Sequence, residues 1–196
     1  MPETVALLMF LLPLAWSPGP GNMLFAANGA RFGMAATLPA SLGYHAATWL
    51  VTAAIGFGLV GVVGAAPMLL DAARLGGAAY VLWLGWRIAR AGVLQSGAEA
   101  RPIGAAGGAV LLLLNPKAWL IIALMFAQFL PAGAGGAAAV LWIATVFTLN
   151  NLVAFTAWTL VGDRLARAFR SDRAGRWLNA GFGLVLAGVA LWMLLA

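Results

Sequence analysis

The chain alternates between long apolar runs and short segments that carry its charges. Residues 4–30, 32–70, 118–162 and 177–196 contain no Asp, Glu, Lys or Arg. A transmembrane helix needs about 20 consecutive residues of this kind, so several spans fit into these runs. Dividing the runs at their Pro and Gly residues predicts six helices, at about 4–26, 35–62, 67–91, 105–130, 136–162 and 177–196.

The composition excludes a soluble domain. Hydrophobic residues make up 64% of the chain and charged residues 8%, against about 25% charged residues in soluble domains. With no cysteine and one histidine, the chain cannot form disulfides, thiolate metal sites or a His-based zinc centre. We therefore expect an all-α integral membrane protein with one transmembrane domain over residues 1–196, no metal and no cofactor.

The arginines predict the orientation of the helices. Nine of them fall in or beside three predicted loops, and Arg74 alone lies on the opposite side. By the positive-inside rule these loops are cytoplasmic and both termini of the multi-pass protein are extracytoplasmic. The lipid bilayer also accounts for the net charge of +6, so we expect no nucleic-acid partner. The nine are Arg31, Arg87, Arg90, Arg101, Arg164, Arg167, Arg170, Arg173 and Arg176.

Glycine is abundant, at 25 of 196 residues, and some of it recurs at helical spacing. Gly29 with Gly33, and Gly104 with Gly108, form pairs of small residues four apart. Such pairs let transmembrane helices approach each other closely.

The two halves of the chain resemble each other. Residues 11–20 read LLPLAWSPGP, and residues 111–119 read LLLLNPKAW. With three helices in each half, the second half crosses the membrane in the opposite sense to the first. The sequence therefore predicts a 3+3 inverted repeat, with repeat 1 at about 1–91, a cytoplasmic loop at 92–104 and repeat 2 at about 105–196.

Helices 1 and 4 of this repeat are predicted to be broken, at Pro18-Gly19-Pro20 and at Asn115-Pro116-Lys117. Proline removes a backbone N–H and frees a carbonyl four residues back, and hydrocarbon cannot satisfy such groups. Matched breaks in the two halves are typical of secondary transporters with a site near the membrane midplane. A simple kink is the alternative at each proline.

Lys117 is predicted to lie deep in the membrane. Counted from Gly108 at the inner interface, it lies about 14 Å into a hydrocarbon core about 30 Å thick. A lysine at this depth is costly unless it faces a polar cavity, which makes it a candidate functional residue. Snorkelling of its side chain towards the cytoplasm is the alternative.

At these residues the chain resembles the LysE/RhtB family of amino-acid exporters, over nearly its full length. The shared motifs are Pro18-Gly19-Pro20 with Asn22, residues 76–80 (GGAAY) followed by residues 84–87 (LGWR), and Asn115-Pro116-Lys117 with Gln128-Phe129. The resemblance implies six spans, an inner-membrane location and efflux of amino acids or related metabolites driven by the proton-motive force.

The polar residues predict the class of substrate. The acids all lie near termini, loops or helix ends, so no carboxylate deep in the membrane is expected to pair with the side-chain cation of a basic amino acid. A neutral zwitterionic amino acid is therefore favoured over a basic one. Its carboxylate is expected near Lys117 and its ammonium near freed carbonyls and asparagines. The predicted substrate-binding residues are Pro18, Gly19, Pro20, Asn22, Asn115, Pro116, Lys117, Gln128 and Asn150, and the candidates for proton coupling are His45, Asp163 and Asp71.

Other classes of protein fit the sequence less well than a transporter does. An intramembrane hydrolase needs a nucleophile motif, and Ser41 with His45 is only an i,i+4 pair on one helix. A small channel, a membrane scaffold and an exporter of basic amino acids stay as alternatives. The expected partners are an amino acid and the lipid bilayer, and a homo-oligomer is left open.

Overall fold

The computed structural model describes residues 2–59, 101–130, 136–168 and 172–195, with eight positions between 75 and 86. All eight (75, 76, 78, 79, 82, 83, 85 and 86) are helical, and the described residues contain no strand. The expected all-α fold is thus confirmed over this part of the chain. The helices are α1 Pro2–Trp16, α2 Pro20–Ala54, α3 Ala105–Leu113, α4 Pro116–Phe129, α5 Ala137–Ala168 and α6 Asp172–Leu195, and a π-helical turn, Ile55–Leu59, continues α2.

Helix α2 is a hairpin that reverses at Gly33. This residue has φ +83° and ψ 171°, a conformation that glycine adopts and other residues rarely do. Asn28 Nδ2 donates to Thr37 Oγ1 at 3.0 Å, although nine residues of straight helix would separate them by about 14 Å. The chain therefore reverses within the predicted loop between spans 4–26 and 35–62, but the loop is shorter than expected. Both arms of α2, residues 20–32 and 34–54, are helical, and one glycine joins them.

The link between α5 and α6 is also shorter than predicted. Spans 136–162 and 177–196 are expected to leave a basic loop, but α5 continues to Ala168 and α6 begins at Asp172. The apolar run marks where hydrocarbon can end, whereas alanine, leucine and arginine keep the helix going beyond it. An i,i+4 ion pair between Asp163 and Arg167, at 2.5 Å, lies on this continuation.

Each half of the chain has one interruption of the helix near its start. Residues 17–19 separate α1 from α2, and Leu114 and Asn115 separate α3 from α4, whose axes differ by 63°. Pro20 and Pro116 are the first residues of α2 and α4, where a missing N–H costs no helical hydrogen bond. Within the described residues, α5 alone is long and apolar enough to span a membrane, and the pairs α1–α2 and α3–α4 qualify as bent units.

Glycines bring α2 into backbone contact with two neighbouring helices. Gly29 and Gly162 close the contact between the first arm of α2 and α5, while Gly43 and Gly108 close that between the second arm and α3. A Cβ at any of the four would overlap a backbone carbonyl oxygen, so helix packing here requires glycine. The carbonyls belong to Thr159, Ala26, Ala105 and Ala40, in the same order.

Candidate functional site

The two interruptions lie side by side. Lys117 Nζ, in the first turn of α4, donates to Ser17 O at 2.7 Å and to Ser17 Oγ at 3.0 Å. Asn115, just before α4, donates from Nδ2 to Tyr44 Oη at 3.1 Å. The C-terminal end of α1 and the N-terminal end of α4 therefore meet at one place.

A cleft of about 520 Å³ opens at this meeting point. Its polar wall is the first interruption with Lys117, and the rest is apolar. Among the lining residues that the structure describes, Lys117 is the charged one. The lining consists of Leu14, Ser17, Pro18, Gly19, Pro20, Lys117, Leu120, Ile121, Leu124, Val185 and Gly188.

A second, smaller cavity lies behind Lys117, with a volume of about 10 Å³. Such a volume holds roughly one water molecule. Its polar lining consists of Asn22, Tyr44, Asn115, Asn151 and Lys117, and the first four of these are at most 5% exposed. In this conformation a whole amino acid fits the cleft, whereas the inner cavity has room for a single small polar group.

The carbonyls freed at the end of α1 have donors from within the protein. The pairs are Ser17 N to Pro13 O at 3.2 Å, Ser17 Oγ to Leu14 O at 3.1 Å, Asn22 Nδ2 to Ala15 O at 2.9 Å, Trp158 Nε1 to Trp16 O at 3.1 Å and Lys117 Nζ to Ser17 O at 2.7 Å. Apart from the charged Lys117, these donors are neutral. The interruption thus keeps its backbone satisfied without water or substrate.

One buried acceptor at the site lacks a donor within the described part of the chain. Asn115 is 5% exposed, and its Oδ1 has no hydrogen-bond partner there. A buried acceptor without a partner carries a desolvation cost of about 1–3 kcal/mol. Because Asn115 borders the inner cavity, a ligand donor entering there would relieve this cost.

Most of the predicted binding residues come together. Pro18, Gly19, Pro20 and Lys117 line the cleft; Asn22 and Asn115 line the inner cavity; and Pro116 begins α4. The remaining two predicted residues, Gln128 and Asn150, lie elsewhere.

Gln128 is exposed and lies about 16 Å along α4 from Lys117. Asn150 is half-buried, and its neighbour Asn151 is the one that borders the inner cavity. Ser17, Tyr44 and Asn151 are not among the predicted binding residues. Both Tyr44 and Asn151 have polar neighbours in the predicted spans 35–62 and 136–162, but the sequence alone does not show which face of each helix points towards the cavity.

Two of the candidates for proton coupling, His45 and Asp163, are described, and they lie apart from each other. His45 is 6% exposed, Nδ1 contacts Ser41 O at 2.7 Å, and its ring lies 5.5 Å from that of Phe155, between centroids. Asp163 is buried at the turn of α2, where Oδ1 accepts from Arg167 Nε at 3.0 Å. Asp71 lies outside the described residues.

Comparison with known proteins assigns the family. The family model described as LysE type translocator matches residues 12–196. Cysteine/O-acetylserine efflux proteins of Escherichia coli and Shigella sonnei are each 28% identical over 186 residues, covering 93% of this chain and 92% of theirs. No solved structure matches the chain. The chain therefore belongs to the LysE type translocators, multi-pass helical membrane proteins that export amino acids or related metabolites and are not enzymes.

Proposed function

We propose that this chain exports small neutral amino acids across the inner membrane, driven by the proton-motive force. The observation that carries the proposal is the meeting of two helix ends of opposite polarity at one cleft. The C-terminal end of α1 presents the carbonyl of Ser17, and the N-terminal end of α4 presents the backbone N–H and the ammonium of Lys117. A zwitterion has the matching pair of charges.

The substrate's two charged groups would occupy different parts of this site. Its carboxylate pairs with the ammonium and the backbone N–H of Lys117, as anions do at helix N-termini. Its ammonium finds acceptors at the first interruption and at Asn115 Oδ1, which has no partner among the described residues. The side chain then lies against the apolar wall of the cleft, formed by residues such as Leu120 and Leu124.

The lining favours a neutral substrate over a basic one. Lysine or arginine would bring a second cation, and no Asp or Glu lines the described part of the cleft or the inner cavity. A buried cation without a partner is costly. Relatives named cysteine/O-acetylserine efflux protein suggest small polar side chains, so we propose cysteine and O-acetylserine as the first substrates to test.

We also propose that the chain has the 3+3 inverted repeat, with both termini extracytoplasmic. Its broken spans are α1 with the first arm of α2, and α3 with α4. The support is that both interruptions precede a proline at the first position of the next helix and that they contact each other. In this orientation α4 runs outward from Lys117, so the cleft leads from the midplane towards the external side.

The function is tested by export from vesicles. Purified protein in liposomes should drive saturable movement of cysteine or O-acetylserine, and an inward-directed proton gradient should accelerate export. Lysine at the same concentration should move at least tenfold more slowly. Flux without saturation would indicate a channel, and absence of flux for each neutral amino acid tried would contradict the proposal.

Proton coupling is assigned first to His45, with Asp163 and Asp71 as the other candidates. His45 follows Tyr44, which lines the inner cavity, and packs against Phe155 on the same cavity. His45→Gln should keep substrate exchange, which needs no net proton movement, but lose acceleration by the proton gradient. Asp163→Asn is the matched comparison, and full gradient dependence in His45→Gln would move the assignment to an acid.

A further inference from the structure

Lys117 differs from the other donors at the end of α1. Ser17, Asn22 and Trp158 donate through neutral groups, whereas Lys117 donates through an ammonium on a long flexible side chain. Both of its described acceptors, Ser17 O and Ser17 Oγ, are also neutral. The negative end of the α1 dipole favours a cation at this position.

The same position suits the ammonium of an amino acid. An alkylammonium offers three N–H donors, whether it belongs to lysine or to a small ligand. Lys117 uses two of them on Ser17 and lies on the wall of a cleft that is large enough for an amino acid. The protein's own cation therefore occupies the place that a ligand cation would take.

We propose that Lys117 is an internal stand-in for the substrate's ammonium. In the empty protein its Nζ holds the carbonyl site of Ser17. An arriving amino acid takes this site with its own ammonium, and the released Lys117 turns to the substrate's carboxylate. This inference rests on the proposed function, because it describes how the same cleft recognises its substrate.

The surroundings of Lys117 allow this exchange. Its side chain crosses Gly19, where a Cβ would come within 2.9 Å of Lys117 Cδ and 3.0 Å of Nζ. No side chain at position 19 therefore holds the lysine in place. Asn115 Oδ1, buried and without a described donor, lies on the inner cavity that Lys117 also borders, and it supplies a further acceptor when a second ammonium enters.

Competition of this kind has a measurable consequence. A ligand that binds only after Lys117 has left has its affinity reduced by the fraction of protein in which the site is free. Removal of Lys117 should then strengthen binding of an amine that lacks a carboxylate. The same removal should weaken binding of an amino acid, because its carboxylate loses its partner.

The first experiment compares ethanolamine with choline, its N-trimethyl derivative, on the parental protein and on Lys117→Met. Calorimetry on purified protein should show ethanolamine binding about tenfold tighter to Lys117→Met, and O-acetylserine binding at least tenfold weaker. Choline has no N–H donors, so its affinity should change less than threefold. An equal gain for choline would indicate simple charge repulsion, and no gain for ethanolamine would exclude a competing lysine; either result overturns the inference.

A second experiment needs no variant, because Lys117 is the single lysine of the sequence. Protein labelled with 15N-lysine has one side-chain ammonium signal, which requires no assignment. Ethanolamine should shift this signal as Ser17 is vacated, and choline at the same concentration should leave it in place. A signal that ethanolamine does not move would contradict displacement even if Lys117→Met failed to fold.

The two proposals fail in different ways. If vesicles export cysteine or O-acetylserine but ethanolamine neither gains affinity nor moves the signal, the function stands and Lys117 acts only on the carboxylate. If ethanolamine displaces Lys117 but no neutral amino acid is exported, the ammonium site stands and the proposed substrate class is wrong.

Discussion

The asparagines at this site have different roles, because each side-chain amide has different neighbours. Asn22 donates a hydrogen bond to a carbonyl of α1. Asn115 donates to Tyr44, and its Oδ1 has no partner among the described residues. Lys117 could be identified from the sequence as a candidate functional residue, because a single cation within a long apolar run is costly unless it has a functional role. Asn150 and Asn151 could not be separated, because a 100° step along a helix decides which one faces the cavity.

Neighbouring asparagines on α5 provide a matched test of this placement. Asn151→Ala should raise the KM for the exported amino acid about tenfold, because it removes a polar group from the inner cavity. Asn150→Ala should change the KM less than twofold, since Asn150 does not line that cavity. Initial export rates in vesicles give both values, and equal effects of the two substitutions would contradict the assigned face.

At the scale of elements, helix ends determine the chemistry of the cleft. Both interruptions could be located in the sequence from their prolines and glycine, because a proline lacks the backbone N–H and interrupts a helix in any fold. The contact between the interruptions could not be predicted, since it depends on how α1 and α4 cross. Gly29 and Gly108 act in close packing as expected, but Gly33 is a turn and Gly104 precedes α3. Their spacing alone does not distinguish these roles.

We expect the first interruption to be needed for transport rather than for folding. Replacement of Pro18, Gly19 and Pro20 by alanine should let α1 continue into α2 and restore backbone hydrogen bonds. Membrane abundance should stay near normal while export falls at least tenfold. Pro39→Ala removes a proline from the second arm of α2, away from the cleft, and should keep parental export. Parental rates in the triple variant would show that the interruption is only a kink.

The free space of the cleft is itself testable on α6. Gly188 lines the cleft, and a Cβ added to it would meet no described atom within 4 Å. A Cβ at Gly181 on the same helix would be equally free, but Gly181 lies outside the cleft. Gly188→Leu should therefore fold normally and reduce export at least fivefold by occupying the substrate's space, whereas Gly181→Leu should be silent. Export assays normalised to membrane abundance test this prediction. Parental export by Gly188→Leu would show that the substrate binds elsewhere.

For the whole molecule, apolar runs are sufficient to predict a helical membrane protein, because the bilayer allows few solutions for the backbone. Motif order is sufficient for the family. The connections are not predictable in the same way: hydropathy marks where lipid contact ends, whereas the turn at Gly33 and the extension of α5 to Ala168 depend on backbone conformation and helix propensity.

The distribution of arginines predicts that both termini are extracytoplasmic. A phosphatase fused after Ala196 should be active, because this enzyme folds outside the cytoplasm, and a fluorescent cytoplasmic reporter at the same site should be dark. Insertion of the same reporters at residue 101 should give the opposite pattern. A fluorescent C-terminal fusion would reverse the orientation derived from the arginines and remove the basis for an outward-leading cleft.

The single-residue turn at Gly33 has a consequence for biosynthesis. The arms of α2 are joined by one glycine and bonded to each other through Asn28 and Thr37. Because one residue joins them, the two arms cannot separate in the lipid once both have been inserted. We therefore expect the two arms to complete their insertion as one helical hairpin, closed at Gly33.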